Sequence, residues 1–136
     1  MKIKKMWLSP LTIIVVTITF GFGSNTFAQD KNLFVRMAKL QIDSAQLESY
    51  KVALREEIET SVRVEPRVLS LNAVYEKNNP THVTIIEIYS NEAAYKAHLK
   101  TPHFIKYKTF TKDMVKSLEL IETVPIALKT KPKISN

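Results

Sequence analysis

His98 and His103 share one short segment with Glu87, Tyr89, Tyr95 and Tyr107, and no other part of the chain concentrates titratable and aromatic groups so densely. Histidine titrates near neutral pH, so either ring can take or give a proton under working conditions. Glu87 sits inside the apolar run Ile85-Ile86-Glu87-Ile88-Tyr89, and a carboxylate in such a strand either pairs with a partner or has a raised pKa. A tyrosine two residues along lies on the same strand face and can donate its phenol to a substrate oxygen. Together these groups mark where a pocket for a ligand is expected. Each also has a plain structural use: His98 as a half-exposed or capping residue, His103 as a surface residue at a helix start, and Glu87 as the ion-pair partner of Arg36 or of a residue in a second subunit. The chain has no cysteine, which excludes zinc-ribbon, iron–sulfur and thiol chemistry.

The elements that must position these residues follow from periodicity. Leu33 to Ile42 reads as a strand that stops at Asp43-Ser44, a helix-start signal. Leu47, Tyr50, Leu54 and Ile58 recur at helical spacing, with Glu48, Lys51, Arg55 and Glu59 on the other side, and Glu65-Pro66 ends the helix. Val68 to Tyr75 and His82 to Tyr89 predict a hairpin with its reversal at 76–80. Ser90 or Asn91 caps a short helix through Leu99, and Thr101-Pro102 opens another through about Met114, with Phe104, Tyr107, Phe110 and Met114 on one side. Such a stripe serves as core or as a wall on which an aromatic ring stacks. Val115 to Thr123 closes as a strand.

The order strand, helix, strand, strand, helix pair, strand predicts a ferredoxin-like α+β domain with an antiparallel sheet. Leu69, Leu71, Ala73 and Tyr75 fall on one parity, Val68 and Val74 on the other. Helices cover one face only, so the second apolar face predicts a homodimer packed sheet to sheet.

Residues 1–28 predict an export signal: Lys2, Lys4 and Lys5 precede an apolar run from Leu11 to Phe22, and Thr26-Phe27-Ala28 offers a peptidase site. The run is shorter than the roughly 20 residues that span a bilayer, so no stable membrane span is expected after cleavage. Residues 29–124 then form one domain and 125–136 a basic, flexible tail, with the protein periplasmic or secreted. The formal net charge of +7 shrinks once the signal is removed, leaving 17 basic residues against 13 acidic. With Lys129, Lys131 and Lys133 in the tail, the folded part is near neutral, which gives nucleic-acid binding no support.

The segments Phe34-Val35-Arg36-Met37-Ala38, Ser61 to Pro66, Glu87-Ile-Tyr and, most specifically, Ala94-Tyr-Lys-Ala-His98 followed by Thr101-Pro-His103-Phe104 resemble the antibiotic biosynthesis monooxygenase family, which includes quinol monooxygenases. The resemblance implies a dimeric α/β-barrel with a pocket between sheet and helices. In some members it implies oxygenation of electron-rich phenols by molecular oxygen, with neither metal nor flavin. On that footing the expected catalytic residues are His98, His103 and Glu87, the expected substrate contacts Tyr89, Phe104, Tyr107, Arg36 and Tyr75, and no cofactor or metal ligand is assigned. The alternative is a binding protein for a small aromatic or haem-like molecule, or an isomerase, on the same fold. Two departures stand out. Arg67 occupies a position where the family commonly has glycine, so the local turn is expected to differ. Haem-degrading relatives use a tryptophan where this chain has His98 and an axial histidine where it has Lys108, which argues against haem degradation although His98 or His103 could ligate iron.

Overall fold

The computed structural model describes residues 32–131. The expected export signal at 1–28 and residues 132–136 of the expected tail lie outside that range. The element order is β1 (Phe34–Ile42), a 3-10 turn (Ser44–Gln46), α1 (Leu47–Val64), β2 (Val68–Glu76), β3 (Asn79–Tyr89), α2 (Glu92–His98), α3 (Pro102–Thr111) and β4 (Val115–Thr123). The four strands form one antiparallel sheet in the order β2-β3-β1-β4. This is the ferredoxin-like α+β arrangement.

Local chemistry accounts for the helix starts. The Asp43, Asn91 and Thr101 side chains each accept a hydrogen bond from a backbone N–H at the beginning of the turn or helix they precede, satisfying donors that have no partner within the helix. Pro102 follows Thr101 at the first helical position, where its missing N–H costs nothing. The hairpin is tighter than expected: Glu76 pairs with Asn79, so only Lys77 and Asn78 make the reversal. The third helix stops at Thr111, short of Met114, because the chain turns there through a Met114 N–H to Thr111 carbonyl bond and buries Met114 in the core.

Ala38, Leu40, Ile42, Val83 and Ile85 project from the sheet onto Tyr50 and Leu54 of α1, with Tyr107 and Met114 closing the cluster. The Leu, Ile, Val and Met side chains among them each contribute about 1.5–3 kcal/mol on burial. A register shift between Val68 and Ser70 places Val68 and Leu71 together in a second cluster with Phe34, Tyr89 and Ala94. Simple alternation therefore fails in β2: Leu69, the extra residue, is half exposed while Val68 is buried. On the opposite sheet face Met37, Ile86, Ile88 and Ile121 belong to neither core cluster.

The turn at Arg67 is made without a positive φ, since none occurs among the described residues. Its carbonyl accepts from the Ser90 N–H at 3.0 Å and its Nε donates to Ser90 Oγ at 3.3 Å, tying the end of α1 to the start of α2. That tie brings Glu65 beneath the two histidines.

Candidate functional site

The buried stripe of α1 runs Tyr50, Leu54, Glu57, Ser61, apolar in its first half and polar in its second. Ser61 Oγ donates to Glu57 Oε1 at 2.7 Å, one helical turn away. Glu65 follows the last residue of α1, His98 is the last residue of α2, and His103 the second of α3. Three chain ends thus converge. Glu65 Oε1 lies 2.9 Å from His98 Nδ1 and 2.6 Å from His103 Nε2, so one carboxylate oxygen accepts an N–H from both rings. These bonds set the tautomers when the rings are neutral, leaving lone pairs on His98 Nε2 and His103 Nδ1.

His98 Nε2 faces Glu57 Oε1 at 3.6 Å, beyond hydrogen-bonding length, with both residues buried. Burial pushes the Glu57 carboxyl above the usual carboxylate range, opposed by the Ser61 hydrogen bond and by the nearby His98 and His103.

A groove of about 520 Å³ runs between α1 and α3. Val52, Ala53 and Glu57 line one side, and His103, Tyr107 and Phe110 the other. Tyr107 and Tyr50 share a 2.8 Å hydrogen bond between their hydroxyls. Burial raises both phenols, Tyr50 to about 12, so both stay protonated at neutral pH. At the rim Lys106 Nζ lies 2.7 Å from Glu56 in an exposed pair.

The groove is not where the sequence places a pocket. None of its lining residues comes from a strand, because Tyr50, Leu54, Tyr107 and Ile85 fill the space between α1 and the sheet. Glu87, Tyr89 and Arg36 therefore lie behind the groove wall. Tyr89 is fully buried and its phenol donates to Glu87 Oε2 at 2.8 Å, so it is spent on a structural bond. Burial raises Glu87, with the Tyr89 hydrogen bond, His98 and Arg36 acting the other way. Arg36 faces Glu87 across the strand pair, but its guanidinium turns to Tyr95, whose hydroxyl accepts from Nη1 and whose ring lies 4.2 Å away. The expected Arg36–Glu87 ion pair is not formed. Phe104 is a spacer: its ring stands 4.7 Å from His98 and 6.2 Å from Tyr107, outside the groove lining. Tyr75 is removed from the cluster, half exposed near the hairpin end of β2 with Lys51 Nζ 4.3 Å above its ring. Of the stripe expected to serve as core or as a stacking wall, Met114 is buried in the core while Phe110 is 58% exposed in the groove lining.

Residues 33–109 match the model of the family described as antibiotic biosynthesis monooxygenase. The chain belongs to that family. Among solved structures it is 55% identical to a Bacteroides thetaiotaomicron protein designated an antibiotic biosynthesis monooxygenase, over 75% of this chain and 99% of that one, with a TM-score of 0.74. A Lactobacillus acidophilus protein designated a monooxygenase is 35% identical over 71% of this chain and 46% of that one, TM-score 0.68. One from Nitrosomonas europaea, of the same family designation, shares the fold at 20% identity, covering 70% of this chain and 91% of that one, with a TM-score of 0.66. No curated protein matches the chain.

On this antibiotic biosynthesis monooxygenase fold, sequence reasoning missed Glu57, Ser61 and Glu65. The signal was present: the apolar series Leu47, Tyr50, Leu54 reaches Glu57 and Ser61 on the same helical face. A glutamate on a buried stripe needs a partner, and two histidines were already in hand.

Proposed function

We propose that the protein oxygenates quinols or related electron-rich phenols without a cofactor, with the groove between α1 and α3 as the substrate site. The observation that carries this reading is that His103, backed by Glu65, lies in the groove wall beside Glu57. The substrate ring fits between Val52, Tyr107 and Phe110, which supply apolar contact and exclude water. His103, with Nε2–H held by Glu65, accepts the phenolic proton on Nδ1. In its protonated form Glu57, whose carboxyl burial favours over the carboxylate, donates to the oxyanion as charge develops.

The phenolate then passes one electron to oxygen, and the resulting superoxide and phenoxyl radical combine at a ring carbon. The O–O bond of that peroxide breaks: the outer oxygen leaves as water, with protons from the His103 imidazolium and the ring C–H, and the carbon keeps the inner oxygen as a carbonyl. One oxygen molecule is consumed and the arene supplies all four electrons. The test is oxygen uptake by purified, metal-free protein across a panel of dihydroxyarenes. Uptake with stoichiometric quinone formation is expected; none across the panel overturns the reading, and saturable binding or proton exchange without uptake would assign the groove to a binding protein or isomerase.

Two further parts of the reading concern the setting. The sheet face carrying Met37, Ile86, Ile88 and Ile121, with Ile86 exposed and the other three half-buried, packs against a second copy, since an apolar face that no helix covers is ordinarily covered by a partner. The basic start, apolar run and small-residue site at 1–28 direct export. N-terminal sequencing of the protein from producing cells, expected to begin at Gln29, tests the latter.

A further inference from the structure

We infer that Glu57, His98 and His103 form a binding site for a divalent transition-metal ion of the zinc type. One carboxylate oxygen of Glu57 and one ring nitrogen from each histidine all lie within 4.8 Å of one another. Donors around a tetrahedral ion at 2.0–2.1 Å sit about 3.4 Å apart, so Glu57 and His98, already at 3.6 Å, need almost no movement and His103 at most a modest one. Two imidazoles and a carboxylate suit zinc, iron, nickel or copper, and disfavour calcium and magnesium.

The surroundings have the form of a metal site's outer shell. His98 gives Nδ1–H to Glu65, which turns Nε2 toward Glu57, and His103 leans on the same Glu65 oxygen. Ser61 holds Glu57 from within α1. Carboxylate–histidine and hydroxyl–carboxylate contacts of this kind are what orient first ligands around an ion. Charge points the same way. Glu57 and Glu65 are both removed from solvent, and among the described residues neither pairs with a lysine or arginine. A dication supplies the missing positive charge. Glu57 and His103 open onto the groove, which gives the ion a route in and leaves a coordination position for a ligand from the groove side.

The ion would take lone pairs that the proposed base chemistry uses, so metal-loaded and proton-transferring forms exclude each other. The inference stands on the ligand geometry and not on the oxygenase reading, and the readouts are separate. Chelator-stripped protein is dialysed against Zn²⁺ and its metal content measured by mass spectrometry. About one zinc per chain is expected, with affinity reduced at least about tenfold in Glu57→Gln and in His103→Ala and unchanged in His82→Ala, whose half-exposed ring lies 3.5 Å from Glu76. Circular dichroism confirms that each variant is folded. A measurement on the native chain needs no variant: zinc bound only to the folded site raises Tm with increasing Zn²⁺. Sub-stoichiometric zinc in the native protein, no rise in Tm, or binding that survives both Glu57→Gln and His103→Ala overturns the inference.

Discussion

Glu65 Oε1 accepts a 2.6 Å hydrogen bond from His103 Nε2 while holding His98 Nδ1 at 2.9 Å. One oxygen atom thereby orders two imidazoles from two different helices. The bond matters because it decides which nitrogen of His103 can act as a base.

Substituting His103 by alanine removes that base, and oxygen uptake on a dihydroxyarene is expected to fall by about 10²–10⁴ in kcat. Glu65→Gln keeps a side chain of the same shape but replaces an all-acceptor group with one that also donates. Its kcat is expected to drop at least about tenfold with KM nearly unchanged. A KM effect without a kcat effect in either variant would contradict the assigned roles.

Phe110 and Leu54 separate binding from folding. Phe110 is 58% exposed, so Phe110→Ala should leave stability within about 0.5 kcal/mol. It should weaken an aromatic ligand by about 0.5–1.5 kcal/mol, the worth of one ring contact. Leu54 is buried against the sheet, and Leu54→Ala should cost about 2–5 kcal/mol. Denaturant titration and ligand binding on the same preparations check both.

Glu87 carries a carboxyl raised by burial, and the sign of its effect on stability follows. The folded state holds the proton more tightly than the unfolded chain, so folding is penalised as pH climbs through the raised pKa. The penalty is absent below the ordinary carboxylate range near about pH 4 and complete above the raised value. Glu87→Gln, which keeps an acceptor for Tyr89, should therefore melt higher than the parent protein at pH 7.5, with the difference vanishing at pH 4. A difference that stays constant with pH would show that Glu87 is not desolvated.

Ile86 lies on the sheet face that no core cluster uses and is 38% exposed. Ile86→Lys should convert the proposed dimer to a folded monomer in sedimentation velocity. A parent protein that sediments as a monomer would remove the sheet-to-sheet dimer.

Much of the fold is legible in the chain because its signals are local. Asp43, Asn91 and Thr101-Pro102 mark helix starts through bonds made within one turn, and β4 falls on Val115–Thr123 as its pattern predicts. Where a longer-range event intervenes, local reading slips. The bulge at Leu69 reverses the parity of Val68, and the burial of Met114 shortens α3.

The candidate site divides along the same line. The sequence by itself determined that His98 and His103 stand at helix boundaries beside a family signature, since residue type and capping are properties of short segments. Only the tertiary structure decided which groups meet them. Glu57 and Glu65 come from α1, far back in the chain, and their approach depends on how α1 crosses the α2–α3 turn. It also decided what is withdrawn: Tyr89 is consumed by Glu87, Arg36 by Tyr95, and Tyr75 lies at the hairpin end. Strand alternation says which face a side chain occupies, but hydrogen-bond partners are chosen by atoms from other elements, and those arrive only on folding.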